Sequence, residues 1–152
     1  MRQGVWPIAS FARLRDRLNS PTGGLDYVVS GLADEAGRPA LQVRLSGLLQ
    51  LTCQRCLGPL QYPLQIDAVL VLARSEAEVE AQPVDPGSPD RVLGGKEMDL
   101  GTLLEDEVLL AVPFAPHHET CSGAGEDRKG QSRDSPFADL RGLLKPGGRA
   151  PN

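Results

Sequence analysis

Two stretches with a two-residue period flank one short turn, and they constrain this chain more than anything else in it. "ALQVRLSGLLQL" (residues 40–51) sets Leu41, Val43 and Leu45 on one side and Gln42, Arg44 and Ser46 on the other. That alternation marks a strand with one buried face. "LQYPLQIDAVLVLA" (60–73) sets Tyr62, Leu64 and Ile66 on one face before running into a continuous apolar segment. Only a turn containing "CQRC" lies between them, so the two strands are predicted to pair antiparallel with that turn at the hairpin end. A further strand is expected at 25–32 ("LDYVVSGL"), joined by the turn "DEAGR" at 34–38. Gly47 is expected to permit a bulge or bend. Pro63 has no amide donor, which favours an edge position or a bulge.

Helical signals lie on either side of this sheet. "SFARLRDRL" (10–18) begins with a capping residue, Ser10, and spaces Phe11, Leu14 and Leu18 as an N-terminal amphipathic helix would. Arg13, Arg15 and Arg17 then fall on its other side, as a solvated face or as a contact for phosphate or an acidic partner. "DLGTLLEDEVLLAV" (99–112) is the strongest helix: Asp99 caps it, Leu100, Leu103, Leu104, Val108 and Ala111 form one stripe, and Pro113 and Pro116 stop it. Glu105, Asp106 and Glu107 read as a solvated acidic turn, because sequence neighbours on a helix point in different directions. "SEAEVEAQPVDPGSPD" (75–90) reads as loop with room for one helical turn, and "RVLGGKEM" (91–98) as a small hairpin around Gly94 and Gly95. The fold class is α+β: an antiparallel sheet, open or barrel-like, of hairpin-connected strands with an N-terminal helix and one amphipathic helix near 99–112. Residues 1–118 form a single domain in this reading, and 119–152 a largely flexible tail too poor in core residues to order itself. Within the tail, "SPFADLRGLL" (135–144) spaces Phe137, Leu140 and Leu144 as a docking segment.

Charge narrows the choice of partner. The chain is net −4, divided as +3 over residues 1–66, −8 over 67–107 and +1 over 108–152. No dominant basic face emerges, so a protein partner, or an RNA contact confined to basic patches at the two ends of the chain, fits better than general phosphate binding. No apolar run approaches the roughly 20 residues that span a bilayer, and no signal sequence opens the chain, so a cytoplasmic location without membrane contact is expected. The paired glycines at 23–24, 94–95 and 147–148 lack the strand-to-helix setting of a phosphate loop. No serine sits in a nucleophile elbow, and nothing demands an enzyme.

The turn itself, with Cys53 and Cys56, has several readings. An odd number of cysteines, three, in a reducing compartment argues against a disulfide framework. A redox pair needs a helix N-terminus to lower a thiol's pKa, and here strands stand on both sides. Two readings stay open: a tight turn whose small thiols pack under the sheet edge, and half of a zinc knuckle. The other half would come from "PHHETC", which holds His117, His118 and Cys121, the only histidines and the only other cysteine in the chain.

Three blocks, "LTCQRCLGPLQYPL", "EMDLGTLLEDEVLLAVPFAPHHETC" and "SPFADLRGLL", resemble in order and spacing the large ribosomal RNA subunit accumulation protein family of bacteria, the YceD family. The resemblance runs from about the first helix to Leu144. The motif positions it carries over are Cys53, Gln54, Arg55, Cys56, Leu57, Asp99, Leu100, Glu105, Asp106, Glu107, Pro113, Cys121, Pro136 and Phe137. Ser135 stands where the terminal block usually opens with asparagine, and further cysteines that some members carry near the third are missing here. The resemblance implies a non-enzymatic accessory factor in synthesis, processing or stability of large-subunit (23S) ribosomal RNA. Its partners would be that RNA or ribosomal proteins, with no small-molecule substrate. Candidate contacts are Arg55, projected from the hairpin end, with Gln54, Arg13, Arg17 and Phe137. No cofactor is required, and zinc on Cys53, Cys56, Cys121 and His118 is the one the ligands would accept. The alternatives are a small zinc-binding module, or an acidic adaptor whose middle region mimics nucleic acid toward a basic protein.

Overall fold

Alternation in the sequence becomes register in the computed structural model, which describes residues 1–81 and 87–121. In chain order the elements are β1 (Arg2–Pro7), β2 (Leu18–Ser20), β3 (Gly24–Ala33), β4 (Pro39–Thr52), β5 (Pro59–Ala73), α1 (Glu76–Glu80), β6 (Asp90–Leu93) and α2 (Leu100–Ala111). The strands form one open sheet in the order β1-β3-β4-β5-β6, with β2 beside the end of β4 that β3 leaves uncovered. The sheet ends at β1 and β6 and does not close into a barrel. Rows such as Leu25–Gly47–Leu64 and Tyr27–Leu45–Ile66 cross β3, β4 and β5 without a break. Gly47 therefore makes no bulge. Its lack of a side chain serves a close approach instead, since a Cβ there would sit 2.6 Å from the Leu25 side chain. Pro63 pairs with Leu48 on one side only, along the part of β5 that β6 does not reach, as expected of a residue with no amide to offer.

One face of the sheet carries the core. Val43, Leu45, Leu49 and Leu51 of β4 are wholly buried, in one core cluster with Leu103, Leu104 and Val108 of α2. The Asp99 cap is as predicted: its carboxylate accepts from the Gly101 amide (2.8 Å) and the Thr102 hydroxyl (2.9 Å). At the other end, the Tyr62 hydroxyl donates to the Ala111 carbonyl (3.4 Å), fastening the last turn of α2 to β5. Residues 1–121 make up one compact unit. The segment 135–144, Phe137 with it, lies outside the described residues.

The N-terminal helix expected over 10–18 does not form. Two short 3-10 turns, Ile8–Ser10 and Arg15–Arg17, stand in its place, and Leu18 already belongs to β2. Ser10 does not cap; its hydroxyl donates to the Pro7 carbonyl (2.6 Å). Glu105 holds the segment in this form. Its carboxylate Oε1 accepts from the backbone amides of Arg13 (2.5 Å) and Leu14 (3.1 Å), and Oε2 meets the Arg13 Nε (3.2 Å). With those amides held by a side chain, and with Ile8, Phe11 and Leu14 all buried, the segment gains more from docking on α2 than from extending a helix. Glu105 is correspondingly buried, not part of a solvated acidic turn.

A second correction concerns residues 91–98. They make no hairpin; Asp90–Leu93 joins β5 as a parallel strand, so the sheet is mixed. A parallel neighbour requires a crossover of a dozen or more residues, usually with a helix in it, and α1 fills that role. The one helical turn expected in 75–90 is α1. Ser75 caps it, accepting from the Glu78 amide (3.3 Å), and the Arg91 guanidinium donates to the Glu78 carbonyl (3.0 Å), which draws α1 and β6 together.

Glu105→Ala is expected to destabilise the chain by about 2–4 kcal/mol in urea titrations, because it strands two amides in a poorly hydrated place. Asp106→Ala removes only a half-exposed partner of Arg13 and should cost less than about 1 kcal/mol. Burial alone would raise the Glu105 pKa, but the amides of Arg13 and Leu14 and the Arg13 guanidinium outweigh it and lower the value. Its ionised form thus stabilises the fold above the ordinary glutamate range and loses that contribution below about pH 4.3. Glu105→Gln should flatten this acid limb of the stability profile.

Candidate metal centre

The inward phase of β4 continues past the end of the strand. Residues 43, 45, 49 and 51 face the core, and Cys53 falls two positions further on and is fully buried. Its amide donates to the Gly58 carbonyl (2.9 Å), and its own carbonyl accepts from the Leu57 amide (2.9 Å), closing the chain into a turn of six residues before β5 begins. Leu57 achieves the reversal with φ +59°, a left-handed conformation that costs an ordinary side chain about 1–2 kcal/mol. Inside this turn the Arg55 amide points at the Cys53 sulfur (3.4 Å). Cys56 lies on its exposed side.

The chain leaving α2 comes to meet the turn. Pro113 and Pro116 prevent further helix, and the Pro116 carbonyl accepts from the Gln54 amide (2.8 Å), pinning the exit segment to the knuckle. His118 follows, with its Nε2 3.0 Å from the Pro59 carbonyl. A carbonyl can only accept, so Nε2 carries the proton of that contact and Nδ1 is left to offer its lone pair inward. Nδ1 lies 3.5 Å from the Cys56 sulfur and 3.9 Å from that of Cys121. The Cys53 and Cys121 sulfurs are 3.6 Å apart. All four donor atoms fall within 4.8 Å of one another, so Cys53, Cys56, His118 and Cys121 are positioned to hold a metal ion. These are the four residues predicted. His117, the other candidate in "PHHETC", turns its Nδ1 to the Ala115 carbonyl (3.0 Å) and stays outside the cluster.

The electrostatics follow from the backbone. Burial pushes the Cys53 thiol up, but the amides of Cys56, Arg55 and His118 aimed at the sulfur outweigh that and bring its pKa down to about 5. Cys121 is pushed up, first by burial and then by Cys53 and Cys56 beside it. The backbone alone therefore favours one thiolate in the cluster, and a cation is what would let all three sulfurs ionise together.

The remaining predicted residues divide between the interior and the surface. Arg13 is committed to the fold through Glu105, Asp106 (2.6 Å) and the Thr102 carbonyl (3.4 Å). The Gln54 side chain turns back to the Thr52 carbonyl (3.1 Å). Arg55 is exposed, and its guanidinium has no hydrogen bond or ion pair among the described residues. Arg17 precedes Leu18, which pairs with Leu51, so it stands at the same end of the sheet as the knuckle. Glu107 is half-buried, its pKa raised by burial and by Asp90 and Asp106. Sequence reasoning missed the Pro59 and Pro116 carbonyls, which place His118 and the exit segment. Backbone acceptors leave no side-chain signal, although the Gly58-Pro59 pair does mark the turn they belong to.

Fold and cluster together define a small α+β protein whose mixed sheet ends in a cysteine-rich knuckle, with no helix among the described residues long and apolar enough to cross a membrane. The family model described as "Large ribosomal RNA subunit accumulation protein YceD" matches residues 41–144, and the chain belongs to that family. No solved structure matches it.

Leu57 provides a direct test of the turn geometry. Leu57→Gly should leave stability unchanged within about 1 kcal/mol, the relief of a left-handed leucine offsetting glycine's greater chain entropy. Leu57→Val, a β-branched residue in the same conformation, should lower the thermal midpoint measurably.

Proposed function

We propose that this chain is a non-enzymatic, cytoplasmic accessory factor in the synthesis, processing or stability of large-subunit ribosomal RNA, and that it touches that RNA with a zinc-held knuckle. The observation that carries the reading is the exposed Arg55 guanidinium, which has no partner among the described residues and lies on the metal-ligand turn in a chain of this family. A guanidinium on a rigid support can fork onto a phosphate without first giving up an internal partner. Arg17, at the same end of the sheet, adds a second cation to the patch. Phosphate contacts of this kind position a factor on RNA and carry no sequence code of their own. Of the acidic side chains on which the acidic-adaptor alternative would draw, Glu105, Asp106, Asp99 and Asp67 make bonds within the fold.

Zinc is the metal that suits the donors. Four-coordinate zinc, with sulfur at about 2.3 Å and nitrogen at about 2.0–2.1 Å, implies sulfur–sulfur edges of about 3.8 Å and sulfur–nitrogen edges of about 3.6 Å. The edges here are 3.6 Å for Cys53–Cys121, 3.5 Å for Cys56–His118 and 3.9 Å for Cys121–His118. Four protein ligands would leave no open position for substrate, which is the pattern of a structural site and supports a role without catalysis. The ion's task would be to let three thiolates coexist and to bind residues 118–121 to the hairpin.

Native mass measurement of the protein purified without chelator should show one zinc per chain, and Cys53→Ser, Cys121→Ser and His118→Ala should each lose it. Protein folded with no bound metal would overturn that part of the reading. For the RNA contact, in-cell crosslinking of a tagged chain should recover large-subunit ribosomal RNA or its precursors. Arg55→Ala should keep its zinc, weaken binding of that RNA, and reduce the salt dependence by about one released counterion. Recovery of ribosomal proteins alone, after nuclease treatment, would instead favour a protein partner.

A further inference from the structure

The metal-ligand cluster holds a thiol pair whose separation and unequal exposure suit a second chemistry. Cys53 and Cys121 come from positions 68 residues apart in sequence, yet their sulfurs lie 3.6 Å from each other. Cys53 is sealed beneath the sheet, whereas Cys121 is only partly buried. One of the pair is therefore open to a small solute while the other is shielded from it. Cys56, the exposed thiol of the three, faces the His118 Nδ1 at 3.5 Å and stands beside both of them in the cluster.

We infer that this cluster is also a peroxide-oxidation site, at which Cys53 and Cys121 form a reversible disulfide and the bound metal is expelled. The inference rests on the zinc reading above for what is released, but the crosslink itself needs only the two thiols. The Cys121 sulfur attacks one oxygen of hydrogen peroxide, the O–O bond breaks, and hydroxide departs, leaving a sulfenic acid on Cys121. The Cys53 sulfur then attacks the sulfenyl sulfur, an S–S bond forms, and the sulfenyl oxygen leaves as a second hydroxide. Each sulfur is oxidised by one electron, the two hydroxides take two protons, from the thiols in the metal-free chain or from solvent where the sulfurs start as metal-bound thiolates, and peroxide ends as two waters. The sulfurs must close from 3.6 Å to a bond of about 2.05 Å. Cys121 supplies that movement from the outer end of the exit segment, beyond the Pro116 and His118 contacts that anchor it.

The product differs from simple damage. Two of the four ligands are consumed, and Cys56 with His118 alone cannot retain a tetrahedral ion. Residue 121 nevertheless stays tied to the hairpin, by a covalent bond in place of a shared metal. The oxidised chain should keep its knuckle closed while giving up zinc, and a dithiol reductant with added zinc should restore the starting state.

Treatment of the purified full chain with hydrogen peroxide tests this, followed by intact mass, peptide mapping without reductant, and a chromogenic zinc assay. The expected result is a loss of two hydrogens, one crosslink between the peptides carrying Cys53 and Cys121, release of one zinc per chain, and reversal by dithiol. Cys56→Ser should still form the crosslink, and Cys121→Ser should not. A Cys53–Cys56 crosslink, sulfinic acid as the main product, or oxidation with the crosslink but without zinc loss from loaded protein would each overturn the inference. The two readings fail separately. A chain isolated without zinc that still forms the Cys53–Cys121 bond removes the zinc reading and keeps the thiol pair, and a zinc-loaded chain that gives no such bond does the reverse.

Discussion

The pairing of β4 with β5 is the constraint on which the rest depends. Its register runs unbroken from Ala40 opposite Val71 to Thr52 opposite Pro59, and a one-residue slip would exchange every side chain between core and solvent. Such a slip would turn Leu45, Leu49 and Leu51 outward and would move Cys53 to the exposed side of the turn. The same register sets the Pro59 carbonyl where His118 can use it. Position within the cluster is therefore inherited from hydrophobic alternation tens of residues away. The apolar pattern does not merely stabilise the hairpin; it aims the ligands.

A second constraint holds the N-terminal segment. Glu105 is a buried carboxylate, and an ionised group in such a place persists only when its lone pairs are occupied. Two amides and a guanidinium occupy them here. The arrangement has a consequence at the far end of the segment. Because residues 8–17 are docked on α2 and do not extend as a helix, Leu18 and Ser20 are free to add a short strand to β4. That strand covers the stretch of β4 leading into the knuckle, and it carries Arg17 to the same end of the sheet as Arg55.

Sequence alone disclosed the parts governed by short-range period. β3, β4 and β5 lie within a residue or so of the predicted 25–32, 40–51 and 60–73, and α2 keeps both its cap and its stripe. The four ligands were legible because soft donors are scarce in this chain and fall in just two places. What escaped reading depended on partners distant in sequence. Ser10, Phe11, Leu14 and Leu18 fit a helix locally, but the segment is shaped by burial in the core and by Glu105, some ninety positions away. Gly94 and Gly95 suggest a hairpin locally, but Asp90–Leu93 finds the open side of β5 instead. The two carbonyls that orient the exit segment and His118 could not have been read from any side chain.

These observations explain why a cluster of soft ligands stands at this end of the sheet. α2 is anchored at its start by Asp99, along its length by its leucines, and at its last turn by Tyr62. After Val112 that support stops: Pro113, Phe114 and Ala115 are all exposed, and only Pro116 is buried before the chain reaches His118. A segment so poor in apolar contacts cannot offset its own ordering entropy by burial. Two hydrogen bonds, from Gln54 and to Pro59, begin to hold it, each contributing about 1 kcal/mol. A shared ion or a covalent bond across 68 residues acts differently, by removing loop freedom from the unfolded chain as well as adding contacts. Either link would order the last residues before Ser122 where side-chain packing does not, and the arginine-bearing turn would become a fixed surface because the exit segment is joined to it between Cys121 and Cys53.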